Sequence, residues 1–143
     1  MNMKKNSKRD TNVLYLDANI FIYAAANTEN SGDKARLLLT KIQRGCEEAI
    51  TSALTFDEVF WVLRKDNLEL AFSVCEAMLN FPHLEILAAN REIDISAMKI
   101  IKESHLTPRD AIHAATAISG KADFIVSDDA HFDRVKELKR KEP

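Results

Sequence analysis

The sequence predicts a single α/β domain built on a mainly parallel sheet. Short apolar, β-favouring runs alternate with longer segments whose apolar residues recur every three or four positions, the pattern of strands joined by crossover helices. The 143-residue length suits one core, since a chain of this size buries roughly two-thirds of its unfolded surface. The composition, 46% hydrophobic with three Gly and three Pro, leaves no linker, repeat or low-complexity tract that would argue for two domains or disorder.

Val13-Leu14-Tyr15-Leu16 reads as a buried strand that ends abruptly at Asp17. Helical spacing follows over residues 19 to 26 and 33 to 44, the second with Ala35, Leu38, Leu39 and Ile42 on one stripe and Gly45 as its stop. Ala49 to Thr51 is a short second strand. Thr55-Phe56-Asp57-Glu58 opens a helix and Leu68 to Leu79 forms the next, with Pro82 closing the pair. Leu84 to Leu87 is a third strand, and Ile93 to Ile101 is helical. Thr107-Pro108 begins a helix that runs to Gly120, with Thr as N-cap and Pro at the first helical position. Phe124 to Val126 is a fourth strand, followed by Ser127-Asp128-Asp129 and an expected basic C-terminal helix. The domain is expected over residues 13–135, between a basic N-terminal tail at 1–12 and a basic C-terminal tail at 136–143.

The formal charge of −2 conceals an uneven distribution. Residues 1 to 9 carry four basic groups and residues 134 to 143 carry five against two acids, leaving 11 Lys and Arg against 20 Asp and Glu between them. Such an acidic body binds phosphates poorly unless cations neutralise some carboxylates and basic tails add non-specific attraction. No apolar stretch approaches the roughly 20 residues of a membrane span, and the apolar run near the N-terminus is too short for a secretion signal. Cys46 and Cys75 lack metal-binding spacing and are read as reduced, buried small hydrophobes, which places the chain in the cytoplasm.

Parallel sheets place their functional crevice at the carboxyl ends of the strands. Asp17 and Asp128-Asp129 follow strand ends, while Glu58 and Asp110 fall near helix starts on that side. Each acid also has a bland explanation. Thr55 and Glu58 form a capping box, Thr107 and Asp110 nearly one, Asp17 can cap a helix, and Asp128 and Asp129 can serve a turn. Those explanations are independent and do not predict that the acids gather at one place. Clustered carboxylates need protons or cations to offset their charge, and oxygen-only donors suit Mg²⁺ and Mn²⁺. With such ions a site can activate water for in-line attack on a phosphodiester. His113 is expected to be packed and hydrogen-bonded rather than a ligand, and His131 is a candidate for substrate contact. Phe60 and Trp61 are expected to pack in the core or at a subunit contact. A Gly-rich phosphate loop and a spaced nucleophile–base pair are both missing.

Leu16-Asp17-Ala18-Asn19-Ile20-Phe21-Ile22-Tyr23, Glu58, Thr107-Pro108-Arg109-Asp110-Ala111-Ile112-His113-Ala114-Ala115 and Ile125-Val126-Ser127-Asp128-Asp129-Ala130-His131-Phe132 together resemble a PIN domain over about residues 13 to 135. The resemblance implies a three-layer α/β/α sandwich with a mainly parallel central sheet of four or five short strands, and a Mg²⁺- or Mn²⁺-dependent ribonuclease site. By residue match it implies that Asp17, Glu58, Asp110 and Asp129 are the acidic positions, with Asp17, Asp110 and Asp129 holding metal and Asn19 and Ser127 supporting them. Many small members are VapC-type toxins that dimerise and are silenced by a small antitoxin, so RNA, an antitoxin and a second copy are the expected partners. Two other readings compete. A catalytically silent PIN-like module binding RNA or protein would be expected to lack one of the acids, and a phosphoacceptor domain would need a Lys where Ser127-Asp128-Asp129 stands.

Overall fold

The computed structural model describes residues 11–143, so the expected N-terminal tail lies almost wholly outside the described residues. Five parallel strands, Val13–Leu16 (β1), Glu48–Ser52 (β2), Leu84–Leu87 (β3), Phe124–Val126 (β4) and Arg140–Lys141 (β5), form one sheet in the order β3-β2-β1-β4-β5. Helices Ala18–Ala26 (α1), Asn30–Gln43 (α2), Ala53–Leu63 (α3), Leu68–Leu79 (α4), Arg91–Ser104 (α5) and Pro108–Ser119 (α6) connect the first four strands.

The layers follow from strand alternation. Leu14 and Leu16 of β1 turn to the face covered by α1 to α4, while Val13 and Tyr15 turn to the face covered by α5 and α6. In β4, Val126 joins the first face and Ile125 the second. The result is the expected α/β/α sandwich. The chain steps from β1 to β2 to β3 in one direction with its helices on one face, then returns across the sheet through α5 and α6 on the other face to lay β4 against β1. With a fixed crossover hand, reversing the direction of travel requires changing faces. That reversal makes the β1–β4 boundary a topological switch point, the place where sheets of this kind have their crevice, beyond the strand ends.

Local sequence explains most helix ends. Gly45 takes φ 78, donating to Ile42 O while Cys46 N donates to Lys41 O, so α2 ends in a Schellman motif. Asn67 and Asn90 cap α4 and α5, and Thr107 with Pro108 starts α6 as expected.

Three expectations are corrected. α3 begins immediately after β2, with Ser52 as its N-cap accepting from Leu54 N. Thr55 is instead buried and hydrogen-bonded to the Thr51 hydroxyl, and Glu58 lies a turn too late to cap. The expected basic C-terminal helix is a 3₁₀ turn, Ala130–Arg134, followed by β5. Ser127 N donates to Lys141 O and Ile125 N to Lys139 O, so pairing with β4 outweighs local helical preference. Cys75 is buried, but Cys46 sits exposed just beyond α2 because the helix has already ended. Of the two aromatics expected in the core or at a subunit contact, Phe60 packs edge-on against Phe72, and Trp61 lies outside the core, 54% exposed with the Arg64 guanidinium 3.7 Å over its ring.

Candidate active site

The carboxyl ends of β1 and β4 carry the first pair of site residues. Leu16 and Val126 are paired in register, so Asp17 and Ser127 leave the sheet side by side, and Asp17 N still donates to Val126 O. The Ser127 hydroxyl donates to Asp17 Oδ2 at 2.7 Å, and Ala18 N donates to Oδ1 at 2.8 Å. Asp17 therefore caps α1 and also faces the crevice. It is only 8% exposed. Burial pushes its carboxyl above the usual range, against the lowering effect of His113, Ser127 and Ala18 N.

Glu58 reaches the same crevice from α3. Its Oε1 lies 2.7 Å from His113 Nε2, and His113 Nδ1 lies 2.6 Å from the Tyr15 hydroxyl. His113 is thus pinned at both ring nitrogens, packed and hydrogen-bonded as the sequence led us to expect. Burial alone would lower its pKa, yet Glu58, Asp17 and Asp110 outweigh burial and raise it. Beneath it, burial drives the Tyr15 phenol far up, and the Thr51 hydroxyl donates to Leu16 O and shares a second hydrogen bond with the Thr55 hydroxyl. Donor atoms of Asp17, Glu58 and His113 all lie within 4.8 Å of one another.

A second trio, Asp110, Asp129 and His131, meets the same 4.8 Å limit. Asp110 comes from the first turn of α6, where its N–H is held by Thr107. Burial first and the nearby Asp129 second raise its pKa. Asp129 Oδ1 accepts from His131 N at 2.9 Å and lies 3.0 Å from His131 Nδ1, while Asp129 N donates to Ser127 Oγ at 3.0 Å. Ser127 is the hinge between the trios, giving its proton to Asp17 and accepting from Asp129.

β4 ends at Val126 and the chain bends at Asp128, with Asp129 N donating back to Ser127 Oγ. Ser127 and Asp129 face Asp17 and Asp110, while exposed Asp128 turns to α1, accepting from Asn19 Nδ2 at 3.0 Å and from the Tyr23 hydroxyl at 2.6 Å. That bond to Asp128, with burial, pushes the Tyr23 phenol up to about 12. Both Asp128 oxygens are thereby committed outside the two trios, and Asn19 serves Asp128. Two contributors went unnoticed in the sequence reading: Tyr15, hidden within an apolar strand run, and Tyr23, placed by one turn of α1.

The donor set fits a divalent cation. Two carboxylates roughly 4 Å apart repel by about 4 kcal/mol at the effective dielectric of a protein surface, more than a hydrogen bond of about 1 kcal/mol offsets. Among the described residues the carboxylates gather as Asp17 with Glu58 and as Asp110 with Asp129, oxygen donors that could hold a hard ion, whereas His113, occupied at both nitrogens, offers no free lone pair.

The fold and sequence match known proteins. Residues 14–138 match the family model of the PIN domain. VapBC2 from Rickettsia felis, solved bound to a DNA fragment from its promoter, superposes with TM-score 0.70 at 19% identity, covering 92% of this chain and 98% of that one. Mycobacterium tuberculosis VapC20, a toxin that cleaves the sarcin-ricin loop, gives TM-score 0.68 at 13% identity, covering 84% and 92%. PAE2754 from Pyrobaculum aerophilum gives TM-score 0.64 at 18% identity, covering 97% and 90%. No match is found among curated proteins. With the family model spanning most of its length, the chain belongs to the PIN domain family.

Proposed function

We propose that this protein is a metal-dependent endoribonuclease that hydrolyses RNA phosphodiester bonds, and that it acts as the toxin of a toxin–antitoxin pair. The observation that carries the reading is the gathering of Asp17 with Glu58 and of Asp110 with Asp129, two groups joined through Ser127 beyond the ends of β1 and β4. Asp17, Asp110 and Asp129 would hold Mg²⁺ or Mn²⁺. When bound, such an ion supplies a water of lowered pKa and stabilises charge on the leaving oxygen.

The chain's own groups do the rest. The Ser127 hydroxyl and Ala18 N–H fix both oxygens of Asp17. Glu58 is tied to His113 through Oε1, leaving Oε2 to orient the attacking water and take its proton. His113 braces Glu58 from below and is not free to act as a base. Four intact carboxylates argue against a catalytically silent module, and the absence of Lys at the Ser127–Asp129 turn argues against a phosphoacceptor domain.

The toxin reading draws on the structural likeness to proteins described as VapBC complexes and VapC20, and a small antitoxin is the corresponding partner. Exposed Trp61, Leu68, Phe72 and Leu79 on α3 and α4 favour a homodimer. Light scattering at micromolar concentration should give twice the 16.2 kDa chain mass. Free Cys46 and Cys75 fit the reducing cytoplasm, and among the described residues no helix is long and apolar enough to cross a membrane. The activity is tested with labelled single-stranded RNA and Mn²⁺. Cleavage should vanish with excess EDTA, and undiminished cleavage would overturn the mechanism.

A further inference from the structure

The Asp110–Asp129 trio contains a nitrogen donor that the proposed oxygen-only ligand set does not use. His131 stands in the 3₁₀ turn two positions after Asp129, with Nδ1 3.0 Å from Asp129 Oδ1. The same oxygen accepts from His131 N at 2.9 Å, closing a short ring that fixes the imidazole against the carboxylate. Adjacent ligands of an octahedral ion with bonds of about 2.1 Å stand about 3.0 Å apart. The 3.0 Å contact therefore matches a coordination edge as well as it matches an ion pair. Asp110 adds a third donor within 4.8 Å of the other two. The His131 side chain is 57% exposed, so no burial prevents it from turning between the two arrangements.

We propose that His131 is a nitrogen ligand in the Asp110–Asp129 half of the site, so that this half prefers a first-row transition ion to Mg²⁺. The inference rests on the reading that these carboxylates hold a divalent cation. Imidazole binds transition ions well, whereas Mg²⁺ demands oxygen donors and keeps its waters. The buried half lacks this feature, because His113 has both nitrogens engaged by Tyr15 and Glu58. The nitrogen donor is then confined to the half around His131, and Asp17 contributes oxygen alone.

The test uses the full chain and its His131→Gln variant with Mn²⁺ alone. Loss of the aqueous Mn²⁺ EPR signal reports binding, and pulsed EPR reports nitrogen coupled to the bound ion. The parent should bind Mn²⁺ and show nitrogen modulation from one imidazole. In His131→Gln the modulation should disappear and Mn²⁺ affinity fall about tenfold, while Mg²⁺ affinity, read by competition, changes less than about twofold. Bound Mn²⁺ without nitrogen modulation in the parent would overturn the inference while leaving the carboxylate reading intact, and so would modulation that persists in the variant. If neither protein takes up Mn²⁺, the carboxylate reading fails and takes this inference with it.

Discussion

Asp17 and Glu58 find their partners inside the protein, in Ser127, Ala18 N and His113, whereas Asp110 and Asp129 share the solvent edge of the crevice with His131. Apart from the helix cap at Ala18 N, the buried half is held by hydrogen bonds between residues more than 50 positions apart in sequence. The open half is held by contacts within a few residues, Thr107 to Asp110 and Asp129 to His131. One set of acids thus performs two structural tasks. The buried half fixes geometry by long-range closure, and the open half leaves carboxylate oxygens accessible to ions and phosphates.

The largest effect is expected at the buried end. Asp17→Asn should lower Mn²⁺-dependent RNA cleavage more than about a hundredfold while leaving the circular dichroism spectrum unchanged. The same variant should melt at or above the parent's temperature in EDTA. The folded Asp17 carboxyl has a raised pKa, so its contribution to stability is present at low pH and lost as pH rises through the folded value. The gap in melting temperature should widen from about pH 4 to pH 7. A variant that cuts like the parent removes Asp17 from the ligand set.

The next comparison separates the paired aspartates. Asp129→Asn should lose about a hundredfold in the same assay, and Asp128→Asn less than about threefold, because Asp128 is bound to Asn19 and Tyr23 away from the trios. Greater damage in Asp128→Asn would invert the proposed assignment of the turn. Ser127→Ala removes the hydrogen bonds joining the halves and should cost about tenfold, chiefly in kcat. A purely global defect would appear as a lowered melting temperature instead.

The smallest effect lies outside both halves. Arg140 donates to both Asp133 oxygens and to Ser127 O, clamping β5 onto the turn that carries Asp129. Arg140→Gln should lower the melting temperature modestly near neutral pH. The guanidinium holds the Asp133 carboxyl below its usual range, so the pair's contribution is present above the unfolded carboxylate pKa of about 4 and lost as pH falls through the lower folded value. The deficit should therefore shrink in acid, and a deficit that is the same at pH 3 and pH 7 would argue against the clamp.

How much of this was legible in the sequence depended on how local each signal was. Val13 to Leu16 and Phe124 to Val126 announce themselves as buried strands, and the rule that parallel sheets work at their carboxyl ends then points to Asp17 and Ser127-Asp128-Asp129. Period-two alternation beyond Val126 would put Asp129 on the side of Ser127, but the strand ends at Val126, and it is the bend at Asp128 with the Asp129 N to Ser127 Oγ hydrogen bond that sets the two aspartates apart. What failed had non-local causes. Arg140-Lys141 has no apolar pattern and becomes a strand through pairing with β4. The capping box at Thr55 and Glu58 looked sound, but β2 runs on to Ser52, which captures the helix start and frees Glu58 for His113. The Tyr15–His113 contact spans 98 positions and left no local trace.

In the proposed mechanism, carboxylates at the β1–β4 switch point direct a metal-activated water, and not an RNA hydroxyl, at the phosphodiester. The direct test is to identify the product ends after cleavage of a single-stranded RNA with Mn²⁺, comparing the parent, the parent in EDTA and Asp17→Asn. Attack by water predicts hydrolysed ends without 2′,3′-cyclic phosphate, formed by the parent with Mn²⁺ and lost in the other two samples. Cyclic phosphate ends, or equal cleavage in all three, would contradict the account.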